Sequence, residues 1–251
     1  MNSKLIKPSE HLNAHYIPAN DKNARFTFVW AHGWQHSHQS LVTIAKQLKG
    51  LGEHYVLDLP GHGETSKSCK DWSISKYVNE INDWLQNLNT EVIWIGHSLG
   101  CRVGNHLAAM EHSSIKALFL ICPPFNLPKN LLTRVRILAY KTLCLLGVPK
   151  SWTMPIFASS DYQNADELRP LFLKFIQEDS SEPIKKINCP VQMISTTLDV
   201  DAPIACANRL MDFCPQAQLN ILDYFDHLDV LTSGQHLIIH HLTEFSETLE
   251  I

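Results

Sequence analysis

The sequence predicts an α/β domain built on a mostly parallel sheet with helices on both faces and a small helical cap. Short apolar runs of strand length alternate with longer stretches of helical spacing along most of the 251 residues. Hydrophobic residues make up 45% and charged residues 18%, as expected of a globular protein with a sizeable core. The alternation is interrupted once, over residues 123–187.

Six apolar runs are predicted to be strands because β-branched, aromatic and other large apolar residues dominate them. These runs span residues 25–31, 54–59, 91–96, 116–122, 190–195 and 217–222. Helical patterns follow at residues 39–50, 73–88, 99–111, 203–213 and 234–249. Strands that alternate with helices in this way form parallel sheets covered on both faces. The first 24 residues have a weaker pattern, and we expect a small edge hairpin there.

The interruption at residues 123–187 is predicted to be a cap or lid. It has helical stretches separated by Pro149, Pro155, Pro170 and Pro183, with no strand pattern. Ligands bind at the carboxyl ends of parallel strands, where an insertion between two strands would lie. The expected division is a core of residues 1–122 and 188–251 with a helical cap of residues 123–187.

Composition excludes several classes of function. A net charge of −4 gives no indication of the excess positive charge that nucleic-acid binding requires. The seven cysteines are scattered without a C-x-x-C pair, which disfavours a disulfide framework or a zinc site. The N-terminus has no apolar signal core, and basic residues interrupt the most apolar helical run. We therefore expect a soluble cytoplasmic protein without stable membrane insertion.

A glycine-bracketed serine stands between a predicted strand and a predicted helix, in the segment Gly96-His97-Ser98-Leu99-Gly100. Glycines remove side chains that would collide in a tight strand-to-helix turn, and the turn exposes the serine hydroxyl above the sheet. Such a short pattern also occurs by chance in ordinary turns, so its meaning depends on partner residues elsewhere in the chain.

This motif and four other segments occur in the order found in the α/β-hydrolase superfamily. The sequence resembles that family over nearly the whole chain. His32-Gly33-Trp34 is similar to the family's oxyanion loop, and residues 58–66, DLPGHGETS, to its Asp-x-Pro-Gly-x-Gly turn. Residues 190–203 resemble the strand and loop that carry the acid, and residues 223–231 the histidine loop.

The resemblance implies a catalytic triad of Ser98, Asp199 and His227, in the chain order that this fold uses. Ser98 would be the nucleophile and His227 the base, while Asp199 would hold the imidazole. The backbone N–H groups of Trp34 and Leu99 would form the oxyanion hole. No metal or organic cofactor is expected.

Several rival residues flank these positions. Asp201 could replace Asp199 as the acid, although the family places its acid four residues before the loop proline, here Pro203. Asp58 follows a strand and is expected to serve its turn. The close histidines in His36-x-His38 and in His236/His240 could suggest a metal, but no Glu or Cys pattern accompanies them.

The predicted cap is unusually basic. Between Glu111 and Asp161 there is no acidic residue, and this segment carries +6 while the rest of the chain carries −10. The simplest interpretation is a solvated helix face. The sharper hypothesis is a cationic rim, with Arg134, Arg136 and Lys141 as candidates, that meets an anionic substrate or an acidic carrier protein. A further variant places this helix on an anionic membrane surface.

The predicted reaction is hydrolysis of a carboxylic ester or thioester, on a small-molecule or carrier-linked acyl substrate, through an acyl-serine intermediate. The motifs are similar to those of carboxylesterases and of pimeloyl-carrier-protein methyl ester esterases. Carbon–carbon bond hydrolases share them, and some relatives only bind ligands. Cys101-Arg102 after the elbow and Ser195-Thr196-Thr197 before the acid depart from the small residues and glycine common in the family.

Overall fold

The computed structural model describes residues 12–21, 26–65, 69–127, 138–140, 142–149, 152 and 165–249. Seven strands form one sheet in the order β1-β3-β2-β4-β5-β6-β7. The strands are β1 Asn13–Ile17, β2 Phe26–Ala31, β3 Gly52–Asp58, β4 Val92–His97, β5 Ile115–Ile121, β6 Val191–Thr196 and β7 Gln218–Leu222. All neighbouring pairs are parallel except β1 with β3.

The helices alternate with the strands along the chain as predicted, and the last helix follows the last strand. They are α1 Gln39–Gln47, α2 Ile74–Leu88, α3 Leu99–Ala108, α4 Arg169–Gln177, α5 Ser181–Lys185, α6 Ile204–Met211 and α7 Gln235–Glu247. All six predicted strands correspond to β2–β7, and all five predicted helices to α1, α2, α3, α6 and α7. The predicted fold class is confirmed.

The N-terminal segment contributes an edge strand. β1 pairs antiparallel with β3, and Asn13 lies opposite Asp58. Within residues 12–21 the strand has no hairpin partner of its own, and residues 1–11 lie outside the described part. The expected hairpin is therefore replaced, in the described residues, by a strand that pairs with a distant part of the chain.

Both faces of the sheet are buried. Alternate strand residues point to opposite faces, so Val29 and Trp94 pack under α2 and α3 while Trp30 and Ile95 pack under α1 and α7. A sheet covered on both sides needs apolar side chains at successive positions. For this reason, the central strands of the sheet are continuous apolar runs in the sequence.

The described part of residues 123–187 contains α4, α5 and helical stretches at 138–140 and 142–145, with no strand among its described residues. The basic candidates Arg134, Arg136 and Lys141 lie outside the described residues. The division into core and cap stays a prediction. Among the described residues, no helix has the length and apolar character needed to cross a bilayer.

Candidate active site

Ser98 occupies a strained turn between β4 and α3. Its φ of 50° and ψ of −108° are unfavourable for a residue with a side chain. The turn is fixed on both sides, because Ser98 N–H donates to the carbonyl of Ile121 at 3.1 Å and its own carbonyl accepts from Cys101 N–H at 3.0 Å. The side chain is left partly exposed above the sheet.

The glycines of the motif permit close backbone contact. A Cβ at Gly100 would lie 2.1 Å from the carbonyl oxygen of Ala31, and one at Gly96 would lie 2.5 Å from the backbone of Gly100. Both distances are far inside van der Waals contact. Glycine is therefore required for α3 to pack this closely on β2 and β4, which holds the serine in place.

Asp199 and His227 are brought together at the same edge of the sheet. Asp199 Oδ2 lies 2.7 Å from His227 Nδ1, while its Oδ1 accepts the N–H groups of Asp201 at 2.9 Å and Ala202 at 2.7 Å. Burial alone would raise the pKa of Asp199, but the hydrogen bonds from His227 and Ala202 hold it below its usual value. The carboxylate is therefore ionised at neutral pH and oriented toward the imidazole.

The alternative acid, Asp201, is exposed, and its backbone rather than its side chain contacts Asp199. Asp226, next to the histidine, is also exposed and accepts the N–H groups of Leu228 and Asp229. The geometry thus places only Asp199, of these three carboxylates, in hydrogen-bond contact with His227.

His97 connects the serine turn to the histidine loop. Its Nε2 lies 3.0 Å from the carbonyl oxygen of His227, and the two ring centroids are 4.8 Å apart. Burial, reinforced by the nearby His227, lowers the pKa of His97 well below its ordinary value, so the ring is neutral and donates from Nε2. Because His97 directly precedes Ser98, these contacts bring the histidine loop close to the serine turn.

The loop after β2 supplies candidate donors for an oxyanion. Among the described residues, the backbone N–H groups of Trp34 and Leu99 donate to no acceptor. The loop is tied to α3 because Gly100 N–H donates to the carbonyl of His32 at 3.1 Å. Burial lowers the pKa of His32 to about 3, and its neutral ring accepts from Leu59 N–H. These contacts hold the loop against the start of α3.

Asp58 lies beneath this loop and is fully buried. Its Oδ1 accepts the N–H of His38 at 2.6 Å, and its Oδ2 accepts from Glu64 N–H at 3.0 Å and Asn13 Nδ2 at 3.1 Å. The carboxylate therefore joins β1, the start of α1 and the turn after β3, in keeping with the structural role expected for it.

Two groups of three possible metal ligands occur among the described residues. His97, Cys122 and His227 have ligand atoms within 4.8 Å of one another, and so do His240, His241 and Glu244. In the first group both imidazoles already make hydrogen bonds, and burial raises the pKa of the Cys122 thiol. Its chemistry therefore suits a hydrogen-bonded site better than a metal centre. The second group lies on α7 and is partly exposed.

Arg102 is a buried residue whose role the sequence did not predict. It lies one turn after Ser98 on α3, and its guanidinium donates to Ser180 Oγ and Asn126 Oδ1, each at 3.1 Å. Asn126 in turn donates through Nδ2 to the carbonyl of Glu178. Arg102 thus ties the chain that leaves β5 and the chain that returns to β6 onto the helix of the serine. The sequence signal was the unusual Cys101-Arg102 pair.

Lys116, one of the six basic residues between Glu111 and Asp161, lies away from the candidate site. It is the second residue of β5, and its Nζ lies 2.8 Å from Glu91 Oε1, just before β4 begins. Because β4 and β5 are parallel, this pair lies at the end of the sheet opposite Ser98. The other five basic residues between Glu111 and Asp161 lie outside the described part of the chain.

Comparison with known proteins agrees with this architecture. The alpha/beta hydrolase family matches residues 28–247. An Escherichia coli O157:H7 protein named "Putative carbamate hydrolase RutD" is 26% identical over 208 residues, 72% of this chain and 77% of that protein.

Solved structures share the fold. A hydrolase from Oleispira antarctica superposes with a TM-score of 0.74 at 15% identity, covering 96% of each chain. The esterase EaEST from Exiguobacterium antarcticum gives a TM-score of 0.72 at 15% identity, over 94% of this chain and 96% of that one. With a family match across nearly the whole chain, this protein is a hydrolase that belongs to the alpha/beta hydrolase family.

Proposed function

We propose that this hydrolase cleaves a carboxylic ester, or a thioester, through an acyl-serine intermediate on Ser98. The observation that carries the proposal is the 2.7 Å contact between Asp199 and His227 beside a serine held at φ 50°. A serine hydroxyl is a weak nucleophile at neutral pH, so it needs an adjacent base with a fixed orientation. These three residues supply the nucleophile, the base and the group that orients the base.

In the first half-reaction, His227 takes the Ser98 hydroxyl proton as Oγ attacks the carbonyl carbon of the substrate. Because Nδ1 is engaged with Asp199, Nε2 is the nitrogen that accepts this proton. The carbonyl oxygen becomes an oxyanion, which the N–H groups of Trp34 and Leu99 would stabilise. Collapse of the tetrahedral intermediate breaks the bond to the leaving group, which takes the proton from His227.

In the second half-reaction, a water molecule attacks the acyl-serine and gives its proton to His227. Collapse then releases the carboxylic acid and restores the Ser98 hydroxyl. The ionised Asp199 stabilises the imidazolium in both halves, which is consistent with the lowered pKa of this carboxyl. Neither half-reaction, as proposed, uses a metal or an organic cofactor.

A carbamate is the second candidate substrate, because the RutD relative is named as a carbamate hydrolase. The same triad would attack a carbamate carbonyl. The preference between an ester and a carbamate then depends on residues that contact the substrate away from the serine. Carrier-linked substrates, carbon–carbon bond cleavage and a purely ligand-binding role stay predictions. The basic residues proposed to meet a carrier, Arg134, Arg136 and Lys141, are outside the described part of the chain.

The test is a series of p-nitrophenyl esters from acetate to laurate, assayed on the wild type, Ser98→Ala and Ser233→Ala. Ser233 is an exposed serine that donates to the carbonyl of Asp229, so its variant controls for the loss of a hydroxyl as such. We expect turnover to disappear in Ser98→Ala alone, together with labelling by a serine-reactive phosphonate. Activity or labelling that survives in Ser98→Ala contradicts the proposal.

A further inference from the structure

A wide-open hollow of about 490 Å³, lined by several neutral polar side chains, lies beside the loop after β2. It is lined by Gln35, His36, Ser37, Gln39, Ser40 and Gly63. Of the described residues that line it, none has a carboxylate, an ammonium group or a large apolar side chain. A group that fills such a hollow must make several hydrogen bonds and needs no formal charge.

The hollow lies next to the nucleophile. His36 N–H donates to the carbonyl of Gly33 at 3.3 Å and closes a tight turn. At one end of this turn, a Cβ on Gly33 would lie 3.3 Å from Ser98 Cβ. At the other end, the His36 ring centroid is 6.4 Å from that of His97. A substrate attacked by Ser98 therefore has the hollow within reach.

The same turn has an apolar neighbour. The Trp34 ring is buried and packs 5.0 Å from the Phe172 ring of α4, measured between centroids. The two successive residues thus differ in setting, because the Trp34 ring lies in the core while the Gln35 side chain is exposed at the hollow. An ester has an acyl part and an alcohol part, and the polar side of this turn suits a polar alcohol.

The hollow offers donors and acceptors in a neutral setting. Among the described residues, the side-chain amides of Gln35 and Gln39 make no hydrogen bond to protein. Burial, and then the nearby His227, lower the pKa of His36, so its imidazole is neutral at neutral pH. Among the described residues that line the hollow there is no cation for an anionic group, and an alkyl group would displace water from the polar atoms without replacing its hydrogen bonds.

Gln35 is held in a strained conformation at this position. Its φ of 60° is uncommon for a residue other than glycine. Glycine would adopt the same conformation without strain. The glutamine instead places an exposed amide at the mouth of the hollow, and strained residues of this kind concentrate at functional sites.

We propose that this hollow binds the alcohol part of the substrate and that this part is an uncharged, hydroxyl-rich group of the glycerol or sugar type. This inference rests on the proposed function. Each hydroxyl of such a group both donates and accepts, which matches amide, hydroxyl and imidazole partners. Gln35 and Gln39 are then residues that determine specificity.

The test compares two esters of one acid, 2,3-dihydroxypropyl butyrate and 2,3-dimethoxypropyl butyrate, with p-nitrophenyl butyrate as reference. The two alcohols have similar electron-withdrawing oxygens, and only the first can donate hydrogen bonds. We expect the wild type to prefer the dihydroxypropyl ester about tenfold in kcat/KM, as two modest hydrogen bonds allow. Gln35→Gly and Gln39→Leu should reduce this preference to about threefold or less.

Gln47→Leu is the matched control, because Gln47 lies on α1 away from the hollow and bonds to Gln235. It should keep the wild-type preference. Equal turnover of the two esters, or preference for the dimethoxypropyl ester, overturns the inference and leaves the proposed function standing. Turnover of p-nitrophenyl butyrate alone also overturns the inference. Absence of turnover on all three esters overturns the proposed function as well.

Discussion

The substitution Asp58→Asn should strongly destabilise the fold, because the fully buried carboxylate accepts hydrogen bonds on both oxygens. The best amide orientation keeps an oxygen facing His38 N–H at 2.6 Å. The new NH₂ group then faces two donors, Glu64 N–H and Asn13 Nδ2, which approach the present Oδ2 at 3.0 and 3.1 Å. His38 Nδ1 lies 3.0 Å from both carboxylate oxygens, so it can keep its contact with the amide oxygen. Two charge-assisted hydrogen bonds are lost, and the amide NH₂ group lies against two other hydrogen-bond donors.

The magnitude follows from this count. Hydrogen bonds to a charged group contribute roughly 1.5–3 kcal/mol each, so two of them give about 3–6 kcal/mol. Asn13 can turn partly toward Glu64 Oε2 at 3.3 Å, which favours the lower end. We expect a loss of about 3 kcal/mol in the free energy of unfolding, a large share of the roughly 5–15 kcal/mol typical of a domain.

Asp58 also makes stability depend on pH. Burial tends to raise the pKa of Asp58, but hydrogen bonds from the N–H groups of Glu64 and His38 and from the Asn13 side chain lower it overall. A carboxyl whose pKa is lower in the folded state stabilises the fold above its unfolded pKa of about 3.9. This stabilisation is lost as the pH falls through the folded pKa. Asp58→Asn should therefore flatten the acid dependence of stability below about pH 4.

The assay is equilibrium urea unfolding followed by tryptophan fluorescence at pH 7 and pH 3.5. Asp71→Asn is the control, since Asp71 is exposed and should change the free energy by less than about 0.5 kcal/mol. A loss below about 1 kcal/mol for Asp58→Asn at pH 7, or an acid dependence equal to that of the wild type, would refute this reasoning.

Two further substitutions test the site. Asp199→Asn should lower kcat on p-nitrophenyl acetate by roughly 10⁴-fold, as the corresponding change does in another serine hydrolase, because an amide favours the wrong imidazole tautomer. The exposed Asp201→Asn should stay within about threefold of wild type, and equal losses in both would contradict the assignment of the acid. Gly100→Ala should destabilise the fold by about 3 kcal/mol or more, since its Cβ would lie 2.1 Å from the Ala31 carbonyl oxygen. Gly50→Ala, where a Cβ meets nothing within 4 Å, should be nearly neutral in the same thermal melt, and similar melting temperatures for both variants would remove the steric argument.

The fold was predictable because its strands are buried on both faces. Val92–Ile95 and Leu118–Ile121 are uninterrupted apolar runs, and such runs separated by helical patterns leave few alternatives to a parallel sheet. The edge strand β1 was harder to predict, because two of its five residues are exposed and its pairing is with the distant β3. Its pattern alone therefore favoured a local hairpin.

The candidate site was predictable only where a residue belongs to a local motif. Ser98, Asp199 and His227 each follow a strand, and the contact between the last two was expected. The contacts of Arg102 and Cys122 join segments that are far apart in the chain. Cys122 Sγ lies 3.9 Å from Thr196 Oγ1, across 74 residues of sequence. No spacing or composition encodes such a pairing, so only the folded chain shows it.

The Arg102 network has a consequence for how substrate range could change. Asn126 and Glu178 meet beside α3, so the chain between them is a loop whose two ends are already joined. The entropy of closing such a loop rises by only about 0.6 kcal/mol for each doubling of its length. The stretch between Asn126 and α4 can therefore change in length at a modest entropic cost, while α4 stays packed in the core through Leu171, Phe172 and Phe175. The sheet that carries Ser98 would keep its geometry, because the Arg102 contacts hold both ends of this segment against α3.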